Sequence, residues 1–450
     1  MSNRTLITGA HILSQDPQQP DGVADVLIED GRIARIGLDI EPGDAQVIDG
    51  SGQALLPGFV DTHRHTWQGA IRQTGIGWDF RTYRTYIQNT WGPNFTPDDV
   101  YVGNLLGAVG ALDAGITTLR DESHIQNSPE HTDRAIAGLQ DSGIRGVFAY
   151  GWPSVDSDTW MLSGTRTHPD DIRRVRREVL ADDSALVTLN AMLRGPELSS
   201  IDVSQKDVEL ARDLGIRMSM HVGNGPWGPE FRGIGRLHER GLLDDDMLFI
   251  HCCTSSDDEL AQLRDAGASA SVSAAIEAAL PGLGAPATAR LMKAGVRPGL
   301  SIDTEASVAG DMFNVMRAVI SAHGLGITFQ PELYAELPLP SAVDVLAFAT
   351  IEGATASGLG ELTGSITVGK AADIILIDLR DANLLPANDP AASIVGAGHP
   401  GNVTTVLVNG VVVKRNRMLT GVDLAALTER AKVSRDRLFA ISAGEAIGRG

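Results

Sequence analysis

Two histidines, two positions apart, close an apolar run early in the chain. The run extends from Gly58 to Thr62, and the histidines are His63 and His65. On a β-strand, side chains at positions i and i+2 point to the same face, so the two imidazoles converge on one point. Imidazole nitrogens are common ligands of divalent metals. Because an isolated pair is more often two unrelated histidines at a strand end, the metal interpretation requires further ligands at the ends of later strands.

Three later apolar runs each end in a residue that can bind a metal or carry a proton. These residues are His221 at the end of Ile216 to His221, His251 at the end of Met247 to His251, and Asp303 at the end of Val296 to Asp303. Taken singly, a histidine in such a place is more often a hydrogen-bonded rim residue, and an aspartate can cap a helix. Taken together with the first pair, they predict a single site built at strand ends.

Strand-like and helical patterns alternate through the middle of the chain, which is typical of βαβ units and a parallel sheet. The strand-like runs are Gly58 to His65, Gly115 to Arg120, Gly146 to Tyr150, Leu186 to Leu193, Ile216 to His221, Met247 to His251, Ala268 to Ser273 and Val296 to Asp303. Helical patterns between them include Pro129 to Asp141, Asp170 to Leu180 and Ser204 to Leu214. Eight such units predict an α/β fold of the (β/α)₈ TIM-barrel type. Its active site lies at the carboxyl ends of the strands, where the candidate ligands stand.

Short strands with tight turns occupy both ends of the chain. The strand-like runs are Leu6 to Leu13, Ala24 to Ile28, Arg32 to Gly37, Ala372 to Asp378 and Val403 to Val413. Neither end has enough strands to bury a core alone, so the two ends are predicted to combine in one small β-sandwich domain. The predicted domains are therefore 1–57 with 362–420 for the composite sandwich, 58–361 for the barrel and 421–450 for a C-terminal helical segment, whose helix spans Asp423 to Phe439.

Two stretches resemble a known family. Leu55 to His65 resembles the first barrel strand of the amidohydrolase superfamily, and Gly364 to Asp373 resembles the segment that returns from its barrel to its β-domain. Strand order and ligand type resemble the mononuclear branch of metallo-dependent hydrolases, in the cytosine-deaminase and triazine-hydrolase subgroup. The resemblance extends over nearly all 450 residues.

The resemblance implies a catalytic metal and roles for the strand-end residues. One divalent ion, Zn²⁺ in preference to Fe²⁺, would be bound by His63, His65, His221 and Asp303. The metal would lower the pKa of a water from about 15.7 towards 7, and Asp303 would accept the proton as this water attacks a planar carbon. His251 would polarise the substrate or orient the water. No lysine closes the fourth strand, which argues against a two-metal centre bridged by a carbamylated lysine.

One position departs from the pattern of the resembling deaminases. They carry a glutamate three residues after the histidine of strand five, and it shuttles a proton to a nitrogen of the substrate. Here that position is Asn224, whose amide cannot give and take protons as a carboxyl group does. Glu277 is the favoured replacement acid; the other candidates near strand ends are Glu305, Glu122 and Glu197. A salt bridge is the alternative explanation of each.

Loops after barrel strands set specificity, so several residues in them are candidates for substrate contacts. The predicted substrate-binding residues are Trp67, Gln68, Trp152 and Arg194, and Trp227 lies in the loop after strand five. Core packing is an equally good explanation of any single tryptophan. The charged stretch Asp121 to His124 after strand two lies at the same predicted rim as Arg194 and is consistent with a polar or heterocyclic substrate. Rim salt bridges would explain the arginine and this stretch equally well.

Composition limits the classes of partner and location. A net charge of -20 argues against nucleic acid and anionic membranes, which would repel the protein at long range. The chain begins without a signal-peptide pattern and contains no apolar run near 20 residues, so a cytoplasmic protein is expected. The two cysteines, Cys252 and Cys253, are adjacent, which agrees with a reducing compartment. The expected substrate is a small molecule. The protein is also expected to form a homo-oligomer, either a dimer or a tetramer.

The favoured function is metal-dependent hydrolysis of a C–N bond other than an ordinary peptide bond. Amide or lactam hydrolysis and deamination of a heterocycle both stay open, because Asn224 weakens the simple deamination route. The alternatives are hydrolytic dechlorination of a heteroaromatic ring and a catalytically inactive assembly protein. Inactive relatives lose metal ligands, whereas all four ligand positions are filled by competent residues here.

Overall fold

Two β-sheets organise the computed structural model, which describes residues 4–161 and 164–442. The strands, in chain order, are β1 (Arg4–Ile12), β2 (Gly22–Glu29), β3 (Arg32–Gly37), β4 (Gln46–Asp49), β5 (Gln53–Pro57), β6 (Phe59–Arg64), β7 (Ile116–Ser123), β8 (Arg145–Tyr150), β9 (Val187–Leu193), β10 (Met218–Val222), β11 (Met247–His251), β12 (Ser269–Val272), β13 (Gly299–Leu300), β14 (Ile374–Asp378), β15 (Val403–Val408), β16 (Val411–Arg415) and β17 (Met418–Leu419). β6 to β13 form the parallel sheet of the barrel, and the other strands form the second sheet.

Helices follow most barrel strands. They are α1 (Phe80–Tyr83), α2 (Pro97–Asp113), α3 (Pro129–Ser142), α4 (Ser157–Trp160), α5 (Asp171–Arg174), α6 (Gly195–Leu198), α7 (Ile201–Asp213), α8 (Trp227–Phe231), α9 (Gly233–Glu239), α10 (Asp257–Asp265), α11 (Ala274–Ala279), α12 (Thr288–Ala294), α13 (Met312–Phe329), α14 (Pro331–Tyr334), α15 (Ala342–Phe348), α16 (Ile351–Ala356), α17 (Pro390–Ala397) and α18 (Leu424–Ser442). Short 3₁₀ segments span Thr66–Ile71, Gly92–Asn94 and Pro400–Asn402, and π-helical segments span Arg84–Trp91 and Val175–Val179. The last of these replaces the second half of the helix expected over Asp170 to Leu180.

The eight parallel strands pair in chain order, and the barrel closes at its candidate metal ligands. The N–H of Asp303 donates to the carbonyl of His63 at 2.9 Å, and the N–H of His65 donates to the carbonyl of Asp303 at 2.7 Å. The last strand was predicted over Val296 to Asp303 but is regular only at β13. Pro298 has no N–H for a ladder, and Asp303 has a φ of 67°, outside the strand region. The predicted TIM barrel is confirmed.

The second sheet joins the two ends of the chain. Its strand order is β17-β16-β15-β14-β5-β1-β2-β3, with β4 paired to β1. β14 from the C-terminal part lies antiparallel to β5 from the N-terminal part, with Leu376 opposite Leu55. The predicted composite β-domain of both chain ends is therefore confirmed, while the domain boundaries stay predictions.

One predicted strand is in fact a hairpin. The run Val403 to Val413 divides into β15 and β16 at Asn409 and Gly410, whose φ angles are 48° and 77°. Positive φ at two successive central residues is the geometry of a two-residue turn that matches strand twist, and the Asn-Gly pair favours it. Reading the apolar run as one continuous strand missed this turn.

A buried ion pair joins the barrel to the second sheet. Arg145 at the start of β8 donates from Nε to Oδ2 of Asp373 at 2.6 Å, and the N–H of Asn409 donates to Oδ1 at 2.7 Å. Both charged side chains are buried. Because this pair lies in a low-dielectric contact, each charge depends on the other for compensation.

Asp373→Ala is expected to lower the free energy of unfolding by about 3–5 kcal/mol, since it leaves the guanidinium of Arg145 buried without its counter-charge. Chemical denaturation monitored by circular dichroism measures the change. Asp170→Ala is the matched control, because the Asp170 pair with Arg173 is exposed and is expected to contribute about 1 kcal/mol or less. Equal effects of the two substitutions would contradict the stabilising role of the buried pair.

The C-terminal helix α18 packs beside α2. Ser434 donates to Oδ1 of Asp99 at 2.6 Å, and the rings of Phe439 and Trp91 lie 5.1 Å apart. The rest of the predicted segment, 443–450, lies outside the described residues. Within the described ranges, none of the helices combines the length and apolar character needed to cross a bilayer. The predicted homo-oligomer and cytoplasmic location stay predictions.

Candidate metal centre and substrate cavity

The four predicted metal ligands converge at the carboxyl ends of the barrel strands. Oδ1 of Asp303 lies 3.3 Å from Nε2 of His63 and 3.4 Å from Nε2 of His65. The ring centroids of His63 and His221 are 4.8 Å apart. Two overlapping groups of side chains have ligand atoms within 4.8 Å of one another: His63 with His65 and Asp303, and His63 with His221 and His251. The structure thus brings together all the strand-end residues that the sequence singled out.

The backbone and a buried ion pair hold these ligands in place. Asp61 accepts from Nε of Arg64 at 2.7 Å and from the N–H of Ile302 at 3.0 Å, so it ties β6 to the segment that precedes Asp303. The positive φ of Asp303 turns its carboxylate away from the regular strand direction, a strained conformation typical of functional sites. The ligand geometry is therefore built into the barrel closure.

The imidazoles are suited to bind a cation. Nδ1 of His65 donates to the carbonyl of Glu122 at 2.7 Å, which leaves the Nε2 lone pair directed towards Asp303. Burial, and then the neighbouring histidines, lower the pKa of His63 and of His221, so both are neutral at physiological pH. Imidazole nitrogens combined with one carboxylate are a ligand set that Zn²⁺ and similar ions accept. The residues present fit a divalent metal.

His251 has a different environment from the other three histidines. Its Nδ1 donates to Oε1 of Glu277 at 3.0 Å, and its Nε2 lies 3.8 Å from Oδ2 of Asp303. Burial lowers the pKa of His251, but the hydrogen bond to Glu277 and the charge of Asp303 outweigh burial, so the net pKa is raised. His251 also has a φ of 75°, which aims it from the end of β11. Its position agrees with a role in orienting substrate or water.

Glu277, the favoured replacement acid, lies behind His251. Its Oε1 accepts from His251 and from the N–H of Ser273 at 2.9 Å, and its side chain is fully buried. Burial is the largest influence on the pKa of Glu277 and raises it, although the bond to His251 lowers it. The carboxylate of Glu277 therefore contacts the imidazole of His251, and this imidazole lies between it and Asp303.

The three other candidate acids are each held by protein partners. Glu305 lies 3.2 Å from Arg72 and 3.5 Å from Arg64. Glu122 is paired with Arg120 inside the barrel and accepts from Ser219 at 2.7 Å. Those contacts make these two glutamates structural ion-pair partners.

Glu197 differs, because it is buried next to the Asn224 loop and forms no salt bridge within the described part of the chain. Its Oε1 accepts from the N–H of Gly223 at 2.7 Å. Burial raises the pKa of Glu197 to about 7 from its ordinary value of 4.5, against the lowering by the N–H groups of Gly223 and Asn224. Between these two pH values, the native state keeps a proton that the unfolded chain has released.

We therefore expect the contribution of Glu197 to stability to be complete below pH 4.5 and to be lost as the pH rises towards 7. The loss is about 1.4 kcal/mol per pH unit at most. Glu197→Gln keeps the acceptor for Gly223 but does not titrate, so its free energy of unfolding should fall less between these pH values than that of the wild type. Urea denaturation across this range measures it. The exposed Glu332→Gln is the control, and a slope unchanged by Glu197→Gln would contradict the raised pKa.

A cavity opens onto the candidate metal ligands at the mouth of the barrel. Its apolar wall consists of Phe80, Tyr83, Trp152, Met161, Met192, Leu198, Trp227, Leu280 and Leu283. Its polar wall consists of His65, Gln88, His124, His221, Asn224, His251, Asp303 and Thr304. An apolar cleft with a few convergent polar groups is typical of small-molecule sites.

The structure places the predicted substrate-binding residues in two different positions. Trp152 lines the cavity, as does Trp227. Trp67 is fully buried against Phe95, with ring centroids 4.9 Å apart. Gln68 lies behind the wall, where its amide donates to the hydroxyl of Tyr83 at 2.7 Å.

Arg194 is also sequestered from the cavity. Its guanidinium is fully buried, pairs with Asp207 at 2.9 Å, and donates to the carbonyls of Trp160 and Arg166. It therefore holds the loop after β8 against α7. The contacts of Trp67, Gln68 and Arg194 are those of residues that support the wall.

The segment from Phe80 to Gln88 was not predicted to line the site, and His124 was predicted only as part of a charged stretch at the rim. His124 directly follows β7, and its ring stacks on that of His65 at 4.1 Å. Its position at a strand end was the available signal, the same that identified His221 and His251. Phe80 to Gln88 lies between β6 and β7, and only its aromatic content distinguished it in the sequence.

A comparison with known families decides the identity of this barrel. The model of the amidohydrolase family matches residues 54–413. The chain belongs to the amidohydrolase family. This amidohydrolase is 29% identical over 428 residues to a 5-methylthioadenosine/S-adenosylhomocysteine deaminase of Symbiobacterium thermophilum, covering 91% of this chain and 93% of the relative. It is likewise 29% identical over 446 residues to a 5'-deoxyadenosine deaminase of Methanothermobacter thermautotrophicus, covering 95% of this chain and 97% of the relative.

Solved structures share the fold of this amidohydrolase. An adenosine deaminase from Xanthomonas campestris with bound zinc superposes with a TM-score of 0.82 at 21% identity, covering 97% of this chain and 98% of that chain. An atrazine chlorohydrolase from Arthrobacter aurescens complexed with zinc superposes with a TM-score of 0.83 at 21% identity, covering 96% of this chain and 99% of that chain.

The predicted family, fold and enzyme class are confirmed. The protein is an amidohydrolase-type enzyme that acts on carbon–nitrogen bonds other than peptide bonds. The cluster of His and Asp side chains in this chain fits a divalent metal as cofactor.

Proposed function

We propose that this amidohydrolase uses one zinc ion per chain to hydrolyse a C–N bond at a planar carbon of an uncharged nitrogen heterocycle. The observation that carries the proposal is the convergence of His63, His65, His221 and Asp303 at the mouth of the barrel, beside a cavity with aromatic walls. The named deaminase relatives support the reaction class, since they release ammonia from amino-substituted purine nucleosides.

When bound, the metal would supply a water whose pKa falls from about 15.7 towards 7, so that hydroxide is available at neutral pH. Asp303 is placed to accept the proton of that water, because its carboxylate lies between the ligand imidazoles and also lines the cavity. His251, held by Glu277 through Nδ1, presents Nε2 on the same side as Asp303. It can stabilise negative charge that develops on the substrate as the planar carbon becomes tetrahedral.

Proton delivery to the leaving group distinguishes this site from that of the resembling deaminases. Asn224 lines the cavity where their glutamate stands, and an amide does not titrate. We infer that Asp303 carries the proton from the water to the leaving nitrogen. That route serves an exocyclic amine and an amide nitrogen alike, because each is bonded to the carbon that the water attacks.

Hydrolytic dechlorination is a second candidate that Asn224 favours. Chloride leaves as an anion and needs no proton, so the absence of a carboxyl group at position 224 would cost that reaction less than it would cost deamination.

The test is a turnover screen of purified protein loaded with Zn²⁺. The substrates are aminopyrimidines, aminopurine nucleosides, chlorotriazines and cyclic amides, and the products scored separately are ammonia, chloride and free carboxylate. Ammonia or carboxylate release that depends on zinc supports C–N hydrolysis, and chloride release alone supports the second candidate. Zinc-loaded protein that turns over no member of the panel would contradict the proposal.

A further inference from the structure

His124 is a cavity residue for which the proposed reaction has no use. It lines the cavity, is 5% exposed, and stacks on the ligand His65. Both of its ring nitrogens are buried without a hydrogen-bond partner among the described residues. By contrast, His65 and His251 each have Nδ1 bonded to a protein oxygen. A buried imidazole with two unsatisfied nitrogens is costly unless something else bonds to it.

Asn224 is a second cavity residue in the same condition. It is 8% exposed, it lines the cavity, and its amide oxygen has no hydrogen-bond partner among the described residues. Asn224 follows β10, three residues after His221, whereas His124 follows β7. The two side chains therefore approach the cavity from different barrel strands. These two side chains offer hydrogen-bonding groups that the protein itself leaves unused.

The charge of the wall limits what can occupy the cavity. Within the described residues, the wall contains no lysine, arginine or glutamate, and its one carboxylate is Asp303 of the candidate metal centre. A charged group moved into such a wall loses its hydration without gaining a partner. Flat apolar surface gains contact with Trp152, Trp227 and Phe80.

We propose that His124 and Asn224 recognise the substrate by hydrogen bonds to the polar edge of an uncharged aminoheterocycle, and so select it against apolar and charged analogues. An imidazole and an amide each provide an N–H donor and an acceptor. An exocyclic amine beside a ring nitrogen presents the same two kinds of group. This inference rests on the proposed function and names the class of substrate and the two residues that select it.

Selection follows from the cost of leaving these groups unpaired. An analogue that lacks the matching polar groups would leave buried polar groups on the protein unsatisfied. A site built to form such hydrogen bonds rejects analogues of this kind strongly. An analogue with a carboxylate tail would find no cationic partner in the wall. Apolar contacts alone are expected to give weak binding.

Calorimetric titration of zinc-loaded protein tests the inference without requiring turnover. The probes are 2-aminopyrimidine, cytosine and 9-methyladenine. Aniline matches 2-aminopyrimidine but lacks the ring nitrogens, and S-adenosylhomocysteine is a charged adenine derivative. The wild type is expected to bind at least one of the three aminoheterocycles more tightly than aniline, and 9-methyladenine more tightly than S-adenosylhomocysteine. His124→Phe and Asn224→Leu are each expected to weaken aminoheterocycle binding by about 5- to 100-fold. Binding of aniline, which can pair only through its amine, is expected to weaken less than binding of 2-aminopyrimidine.

His168→Phe is the matched control. His168 is 4% exposed, and both of its ring nitrogens lack a partner among the described residues, but it packs against Tyr150 away from the cavity. The same chemical change there is expected to leave binding of every probe unchanged. His124→Gln, which keeps a donor and an acceptor, is expected to recover part of the lost affinity. Zinc content measured in each variant shows that the centre is intact.

Binding and turnover separate the two proposals. If the probes bind as expected but no member of the turnover panel is hydrolysed, the inference holds and the proposed reaction is wrong. If hydrolysis occurs and His124→Phe and Asn224→Leu bind the aminoheterocycles as the wild type does, the inference is wrong. It is also wrong if the wild type binds none of the three aminoheterocycles or prefers aniline or S-adenosylhomocysteine.

Discussion

Asp303→Ala is expected to reduce turnover by about 10⁴-fold or more. In the proposed mechanism the carboxylate, which lies 3.3 Å from Nε2 of His63, serves twice, as a metal ligand and as the acceptor of the proton from the attacking water. A general base alone contributes about 10²- to 10⁴-fold to the rate. The substitution also disrupts the ligand geometry, so the effect of the metal on the pKa of the water is lost as well. His63→Ala is expected to have an equally large effect and to lower bound zinc well below one ion per chain.

Asp303→Asn refines this experiment. Asparagine tolerates the positive backbone φ of 67° at this position, and its side chain has nearly the same shape as that of aspartate. The variant should retain the fold and lose the activity. Steady-state kinetics and elemental analysis of the same samples provide both readouts. Activity within tenfold of the wild type in Asp303→Asn would exclude the carboxylate as the proton acceptor.

The second large effect is expected at Glu277. Glu277→Gln should lower kcat by about 10- to 100-fold and leave zinc content and KM nearly unchanged, because Glu277 acts by holding Nδ1 of His251. The amide oxygen of glutamine can still accept one hydrogen bond, but it lacks the charge that stabilises a protonated imidazole. We expect His251→Gln to cost more, about 10²- to 10⁴-fold, since it removes the group that faces the substrate.

The double variant distinguishes a positioning role from direct proton transfer. If Glu277 acts only through His251, the cost of Glu277→Gln should vanish in a His251→Gln background. A full and independent loss in that background would show that Glu277 carries a proton itself, the role first predicted for it from the sequence. Glu305→Gln, which disturbs an ion pair with Arg72 and Arg64, serves as the control.

The convergence of the candidate ligands was predictable from the sequence, because side chains at the carboxyl ends of barrel strands meet at one mouth. His63, His65, His221 and Asp303 each end an apolar run, and parallel strands bring such ends to one mouth. Alternation along β6 then places both of its histidines on the same face. The composite β-domain was predictable for a similar reason, since neither chain end has enough apolar faces to form a core alone.

Side-chain partners could not be predicted in the same way. Arg194 follows a barrel strand like the ligands, but a helical turn, Gly195–Leu198, begins directly after it, and its guanidinium is turned to Asp207. Glu277 lies on α11, and only the fold shows that it meets His251 rather than the substrate. Such contacts depend on the paths of loops, for which the sequence has no periodicity.

The turn at Asn409 and Gly410 shows a different limit. The sequence contained the Asn-Gly signal, but the long apolar run on both sides suggested one strand. His124 illustrates the same competition, because the charged neighbours Asp121 and Glu122 suggested a rim salt bridge. In the structure, Glu122 pairs with Arg120, and His124 alone of these residues reaches the cavity.

The most direct test of the central claim is a zinc titration of the chelated protein, followed by ammonia release from an uncharged aminoheterocycle. The account predicts that activity is absent without metal, rises in proportion to added Zn²⁺ and saturates at one equivalent per chain. Hydrolysis that persists in the chelated protein, or that requires two equivalents per chain, would contradict a mononuclear centre formed by His63, His65, His221 and Asp303.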